Sequence, residues 1–544
     1  MWGGIAVHAS LKSVVVLLGI AAASAVSAAM TLPEATVNSG DQQGFAVALS
    51  ADGTIALVGA PGATVNGQSL AGKAFLYVLS QHVWTRTHEF DDPAGAGGDQ
   101  FGSAVALSAD GSIALIGAPA TAANNGGGAA GQVYAFTNAH GAWATHPLPE
   151  PGPAAVDAYG SAVAISADGS LAVAGAPASN NNIGKAYVFR LNGGAPAGAG
   201  QEMDDPTPDA GNEHFGTAAA IAANGNAILI GAPIGGNGVA SGKAYLFTGQ
   251  GQNWSASHEF DNPAADLPGN FGASVVLSRD GGVALIGTPG AYANPDNNGQ
   301  GDGVGAAYVF TQSGGSWGAP VLLNDPSAPR LESFGAGVAL SADAGTALVG
   351  AVSAPDSGAV FLFKRTGANW TQVRRIADPG HADAAAFGNA VAISADGATL
   401  LAGAMNTSVA GRGGAGMAFV LPPVVVLALN IKSDPPAGNT FSYHVSVTNT
   451  DATMTATHAV LRVDLKPGVA YDLPSDPACT HSARELRCGW AVLAPGASKQ
   501  IVLGVTLNKQ VKSLTTKAAA AADQTEPSDP RAHAFLTSTL PAVR

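Results

Sequence analysis

Carboxylates and carboxamides gather in short, glycine-rich stretches of this chain, and hard cations are the ligands such oxygens hold. The longest stretch is Asn294-Pro295-Asp296-Asn297-Asn298-Gly299-Gln300-Gly301-Asp302-Gly303. Asp296, Asn298 and Asp302 would offer side-chain oxygens to calcium, an ion that takes roughly six to eight of them. A metal-free Gly/Asn loop explains the same residues. A second acidic series is Asp91-Asp92-Pro93, Asp204-Asp205-Pro206, Asp261-Asn262-Pro263, Asn324-Asp325-Pro326 and Asp378-Pro379. Repeated Asp-Pro is first of all a turn signal. No catalytic motif persuades: the sequence has no His-Glu-x-x-His, its one Gly-x-Ser-x-Gly (Gly314–Gly318) contains Trp317 of a repeated strand rather than opening a helix, and Gly67–Lys73, which fits Gly-x-x-x-x-Gly-Lys, is followed by Ala74 where a phosphate loop needs Ser or Thr.

The elements that must position these residues come from one recurring stretch. In Phe101-Gly102-Ser103-Ala104-Val105-Ala106-Leu107-Ser108-Ala109-Asp110-Gly111-Ser112-Ile113-Ala114-Leu115-Ile116-Gly117-Ala118-Pro119, two apolar runs of strand length flank Asp-Gly. Asp-Gly between such runs predicts a tight hairpin, and Pro119 ends the second strand because it has no N–H for the ladder. A third strand follows at Gly131–Phe136, and a fourth is centred on Trp143. Equivalent openings stand at Gln43, Tyr159, Phe215, Phe271, Phe334 and Phe387, 53 to 63 residues apart. Seven four-stranded copies of this period predict an all-β fold built by radial repetition, a seven-bladed β-propeller.

The repeated Phe-Gly and Gly-Ala-Pro resemble the FG-GAP repeat of integrin α-subunit heads and many bacterial extracellular proteins, over roughly residues 30–421. Integrin repeats often carry an Asp-x-Asp-x-Asp-Gly calcium loop between the first two strands. Here that turn is Ser-Ala-Asp-Gly at residues 50–53, 108–111, 166–169 and 394–397, and Ala223-Asn224-Gly225 in the fourth copy. One carboxylate per turn is too few for calcium, so that role is not carried over. Trp84, Trp143, Trp254, Trp317 and Trp370 recur on the fourth strands and read as packing between blades. His88 and His258 recur beside Glu89 and Glu259 and read as surface strand positions.

The seventh copy stops after its third strand, Gly416–Val420, while Ala29–Glu34 occupy the place of a fourth strand before the first copy. The N-terminal strand is therefore expected to complete the last blade and cover its bare edge. Residues 1–28 read as a secretory signal: a weakly basic start, an apolar run over Val14–Ala23, and small residues at Val26-Ser27-Ala28. A membrane anchor is the other reading, but the run is short for a span. No transmembrane span is expected after cleavage, and the chain is expected to be extracellular, at the cell surface or periplasmic.

After Pro423 the period is lost, and short strands over 424–544 with Pro-Gly turns predict a small β-sandwich. The stretch from Cys479 through Leu486-Arg487-Cys488-Gly489-Trp490 to Ser498 resembles immunoglobulin-like repeat modules of bacterial surface proteins. Cys479 and Cys488 are the only cysteines. In an exported chain they would form one disulfide across a hairpin.

Composition narrows the function. A net charge of −14 argues against nucleic acid, whose phosphates need a basic surface. The loops between strands two and three share a face with the joins between blades, and loops on a rigid scaffold are where function usually sits. The candidate binding face therefore comprises Asp91, Asp92, Asn124, Asn125, Asn180, Asn181, Asp204, Asp205, Asp261, Asp296 and Asp302. The reading is a non-enzymatic recognition or adhesion protein with a protein or glycan ligand. No cofactor is expected; calcium at the Asp296 loop is the one candidate. A polysaccharide- or lipid-acting hydrolase or lyase in the channel, or a structural envelope protein, are the alternatives.

Overall fold

In the computed structural model the chain divides into two compact units, one over Ala29–Leu421 and one containing Pro422–Arg544. The description covers 29–32 and 38–421, apart from 82, 123–129, 155, 209–210, 235–240, 252, 265–268, 291–303, 326–331, 355–356 and 381–383. In the second unit it covers 427–434, 440–449, 456–466, 469–472, 477–482, 484–494, 496–506, 513–521 and 533–539. The 1–28 segment read as a secretory signal lies outside it. Among the described residues no helix is long and apolar enough to cross a membrane.

The hairpin signals are realised as antiparallel meanders. After β1 (Met30–Thr31), the first sheet is β2 (Val47–Leu49), β3 (Ile55–Ala60), β4 (Lys73–Ser80) and β5 (Val83–Asp91), paired in that order. β3 is buried almost end to end, as a strand covered on both faces must be, and its sequence is accordingly a continuous apolar run. β5 lies at the edge and alternates, with Trp84 and Phe90 inward and their neighbours outward. Six further sheets begin at Ala104, Ala162, Ala218, Ser274, Phe334 and Phe387 and repeat this order, those at Ala162 and Ser274 with the outer strand in two pieces and the last with three strands of its own. Their first strands converge: each lies against the first strands before and after it, and the last lies against β2.

The sheet that begins at Phe387 is completed by β1, with Met30 opposite Val420 and Thr31 opposite Phe419. Leu32 donates its N–H to Ala418 O at 3.0 Å. Its side chain is buried in a cluster that joins the first and last sheets. The expected N-terminal closure is thus present in the structure, and it covers an edge that would otherwise template aggregation.

Adjacent sheets approach through backbone. A Cβ built at Gly59 would fall on the carbonyl oxygen of Gly102 in the next sheet. The same holds for Gly117 on Gly160, Gly175 on Gly216, Gly231 on Gly272, Gly287 on Gly335, Gly350 on Gly388 and, closing the circuit, Gly403 on Gly44. The aromatics of five openings pair backward: Phe101 bridges Gly72 in parallel, and Tyr159, Phe215, Phe334 and Phe387 bridge Gly131, Gly184, Gly305 and Gly358. Clusters spanning two sheets fill the seams. Trp84, Trp143, Trp254, Trp317 and Trp370 each pack on such a cluster.

The second unit holds two antiparallel sheets. One orders Leu427–Ser433, Thr440–Asn449, Ser498–Thr506 and Ala470–Asp472. The other orders Cys479–His481, Glu485–Leu493, Ala456–Asp464, Ser513–Ala521 and His533–Thr539. Alternation along Thr440–Asn449 buries Phe441, Tyr443, Val445 and Val447. Cys479 and Cys488 stand directly opposite in register and are joined by a disulfide.

The Gly175→Ala and Gly403→Ala variants are expected to lose about 3 kcal/mol or more, because backbone rather than a movable side chain occupies the space. At Gly489 a Cβ would meet nothing within 4 Å, and Gly489→Ala is expected to be neutral. Thermal unfolding of the three variants checks this; an unchanged midpoint for Gly175→Ala would contradict the close approach.

Candidate functional site

The loops after the second strands and the joins between sheets form one surface. Gly98, Gln100 and Phe101 donate their N–H groups to Ser69, Leu70 and Ala71, so the join 92–100 is stitched to the loop 61–71. His214 and Phe215 do the same to Asn182 and Ile183. Asp91, Asp204 and Asp261 are exposed there, as are Asn180 and Asn181, which take left-handed backbone with φ of 53° and 57°. Asn124, Asn125, Asp296, Asn298 and Asp302 lie outside the described residues. Among the described residues no group of three or more His, Cys, Asp or Glu is arranged to hold a metal.

Two of the expected surface residues are instead beneath it. Asp92 and Asp205 are only 5% and 6% exposed. The sequence reading placed them on the binding face because an Asp-Pro turn is normally solvated. Here each carboxylate turns inward to tie down the join. Asp92 accepts the N–H groups of Ala94 and Gly95 at 3.0 and 2.8 Å, and Asp205 accepts that of Thr207 at 2.9 Å.

At four joins a buried acid has a second buried acid seven or eight positions on, at the far end of the join. The pairs are Asp92 with Asp99, Glu150 with Asp157, Asp205 with Glu213, and Asp325 with Glu332. Both oxygens of Glu150 and one each of Asp99, Asp205, Glu213 and Glu332 have no hydrogen-bond partner of good geometry among the described residues. Burial, then the Asp92 beside it, pushes the Asp99 carboxyl up to about 7. Burial, then the charge of Asp157, pushes Glu150 up to about 8. Asp205 and Glu332 are raised, also chiefly by burial. Like charges this close and this dry cannot both ionise freely. Two joins lack the second acid: at Gly269 the first residue is the neutral Asn262, which holds its turn by accepting Ala264 N–H at 3.0 Å, and at Ala385 it is the buried Asp378, which accepts Gly380 N–H at 2.9 Å. These pairs were missed from the sequence; their signal is an acid two residues before Phe-Gly or Tyr-Gly, as in Asp99 and Asp157.

On the surface above them, cations meet the outer carboxylates. Lys73 pairs with Glu89 and with Asp91, Lys185 with Glu202, and Lys243 with Glu259. His88 stacks on Trp143 and His258 on Trp317, with ring centroids 5.7 and 5.9 Å apart. Burial lowers both imidazoles. They pack and lie in the strands, as their recurrence implies.

At the opposite end of the sheets, the hairpin aspartates are committed within their own turns. Ser50 Oγ donates to Asp52 Oδ1 at 2.6 Å and accepts Ile55 N–H at 2.9 Å. The bracket repeats at Ser108/Asp110, Ser166/Asp168, Ser278/Asp280, Ser341/Asp343 and Ser394/Asp396. The hydroxyls of Ser166 and Ser278 hold Asp168 and Asp280 below the usual carboxylate range.

Comparison with known proteins agrees with this geometry. Residues 84–136 match the FG-GAP repeat family. These residues run from β5 through the Asp92–Asp99 join to the third strand of the next sheet. The match therefore covers one repeat of the convergent sheets. The chain is similar in structure to the WD40 repeats of RRP9, at 9% identity and a TM-score of 0.46, over 73% of this chain and 98% of that one. It is also similar to Kuenenia stuttgartiensis hydrazine synthase, at 14% identity and 0.43, over 68% and 93%. A third is the periplasmic gluconolactonase PpgL of Pseudomonas aeruginosa, at 16% and 0.41, over 61% and 84%. Likenesses this distant lend the chain no activity. No curated protein matches it.

The acid pairs set a pH dependence. Folded pKa values raised above those of the unfolded chain give stability that is fully present below about pH 4. It is lost as pH rises through about 7 for Asp99 and about 8 for Glu150. The thermal midpoint of the wild type is therefore expected to fall between pH 5 and pH 8.5, and Asp99→Asn with Glu150→Gln to flatten that slope. Equal slopes in wild type and double variant would refute the shared burial as its cause.

Proposed function

We propose that the first unit is a seven-bladed propeller, each sheet one blade, followed by an immunoglobulin-like β-sandwich. We propose further that it is an exported, non-enzymatic recognition protein that takes a protein or glycan partner on its loop face. The observation that carries the function is the contrast between the axis and that face. The innermost strands, such as Val47–Leu49, Ala104–Leu107 and Ala162–Ile165, are built of Ala, Val, Leu, Ile, Ser, Gly, Phe and Asn. None of the seven bears a carboxylate, imidazole, thiol or amine, so these strands bring no general acid or base to the channel. The loops and joins instead carry the exposed Asp91, Asp204, Asp261, Asn180 and Asn181 on a framework whose every seam is closed by backbone. Exposed polar groups on loops held by a rigid scaffold suit binding. The repeated sheets, the circuit of glycine contacts and the β1 closure support the blade count.

Calcium would enter at Asp296, Asn298 and Asp302. The test is binding of the purified mature protein, residues 29–544, to arrays of glycans and extracellular matrix proteins, with calcium and with chelator. A saturable hit is expected, and replacing loops 119–130 and 289–304 with short turns is expected to abolish it while leaving the fold intact. Binding that survives both exchanges, or turnover of an envelope polymer with no binding, would overturn the reading.

A further inference from the structure

The repeat breaks its own rule at one seam, on the face opposite the loops. Around the axis the hairpin turns are linked by backbone hydrogen bonds from each sheet to the next. Ala51 N–H donates to Ala109 O, Ala109 to Ala167, Asn224 to Arg279, Arg279 to Ala342, Ala342 to Ala395, and Ala395 back to Ala51, at 2.8 to 3.3 Å. Among the described residues no such bond runs from Ala167 to Ala223 or Asn224. The turn on the far side of this seam is also the one that has lost the serine–aspartate bracket, with Ala222 in place of the serine and Asn224 in place of the aspartate.

A cleft of about 230 Å³ opens at this seam. Its polar side chains include Arg190 from one sheet and Asn224, Asn226 and Gln250 from the next, over a floor of Leu171 and Leu191. No carboxylate lines it. Arg190 is exposed and makes no ion pair or side-chain hydrogen bond among the described residues. In this register, directly opposite the first residue of the second strand, the other sheets place Val78, Thr137, Thr248, Thr311, Lys364 and Leu421. The guanidinium, the three carboxamides and the lost aspartate therefore coincide at one seam of the circuit.

We propose that this cleft is a binding site for a carboxylate-bearing sugar residue. A free guanidinium matches a carboxylate with two parallel N–H bonds. Carboxamides supply both donors and acceptors, which is what a ring of hydroxyls requires. The cleft lies below the roughly 300–1,000 Å³ of drug-sized sites, so it suits a single sugar unit rather than a larger ligand. An acidic peptide is the less fitting occupant, since the cleft offers no aromatic or deep apolar pocket for an anchoring side chain. The missing aspartate matters as much as the arginine: in an acidic protein, a carboxylate in that turn would repel the ligand.

The full mature chain is titrated by calorimetry with oligogalacturonate, with the neutral galactose oligomer, and with a glutamate-rich peptide. Oligogalacturonate is expected to bind at least about tenfold more tightly than either. Arg190→Thr and Asn224→Asp install residues that the repeat already uses at equivalent positions, so both are expected to fold. Each is expected to weaken oligogalacturonate at least about tenfold. The loop exchanges at 119–130 and 289–304 leave this cleft untouched and are expected to leave its affinity unchanged, which separates this site from the loop face. No binding, equal binding of the neutral oligomer or of the peptide, or affinity unaltered in both point variants would each overturn the proposal.

Discussion

The structure depends on the contact between one glycine and the backbone of another across each seam. Gly59 meets Gly102, Gly117 meets Gly160, and the series runs round to Gly403 and Gly44. Side chains cannot replace this contact, because the gap has been closed to backbone distance. The two halves of the repeat signature are therefore one interaction written in two places, the first glycine in one copy and the second in the next. This explains why the signature recurs as a linked pair while the spacing between openings varies from 53 to 63 residues. The glycine of each opening also takes left-handed backbone, as Gly102 does at φ 94°, so it serves both the turn and the approach.

Bringing sheets this close has a chemical consequence at the joins. The chain must cross from the outer edge of one sheet to the axis of the next in a few residues, and the crossing leaves amide donors without ladder partners. The buried acids meet those donors: Asp92 takes Ala94 and Gly95, Asp157 takes Ala154 at 2.6 Å, and Asp378 takes Gly380 at 2.9 Å. A second acid in the same dry volume then cannot ionise independently. Asn262, paired with Gly269, shows the alternative in which a neutral carboxamide holds the turn and no second acid is needed. Turn geometry is common to all the joins; the titrating pair belongs to only some of them.

Much of this architecture is legible in the residues. The strands, the hairpins, the role of the tryptophans, the disulfide and the N-terminal closure follow from period, Asp-Gly turns and apolar runs. The burial of Asp92 and Asp205 is not legible, because an Asp-Pro dipeptide reads alike whether its carboxylate faces water or the backbone of its own loop. Nor is the strain before each opening. Gln42, Gln100, Ala158, His214, Asn270, Ser333 and Ala386 all take φ between 53° and 57°. Their types share nothing, so only the common requirement to turn into the Phe-Gly step explains a conformation that costs non-glycine residues energy. Local propensity is overridden there by the seam.

A scaffold of near-identical sheets also makes its exceptions informative. Where six hairpins keep serine and aspartate, the constraint on the turn is the same six times, and the bracket from Ser50 to Asp52 and Ile55 states it. The fourth copy drops both residues and yet keeps its strands, its Gly231–Gly272 contact and its outgoing bond from Asn224 to Arg279. The bracket is therefore dispensable for folding one of these sheets. What the departure changes is the neighbourhood of Arg190, which gains carboxamides and loses a carboxylate. In a repeat protein the residues that obey the period carry the fold, and a coordinated departure that leaves the fold intact is where a separate constraint acts.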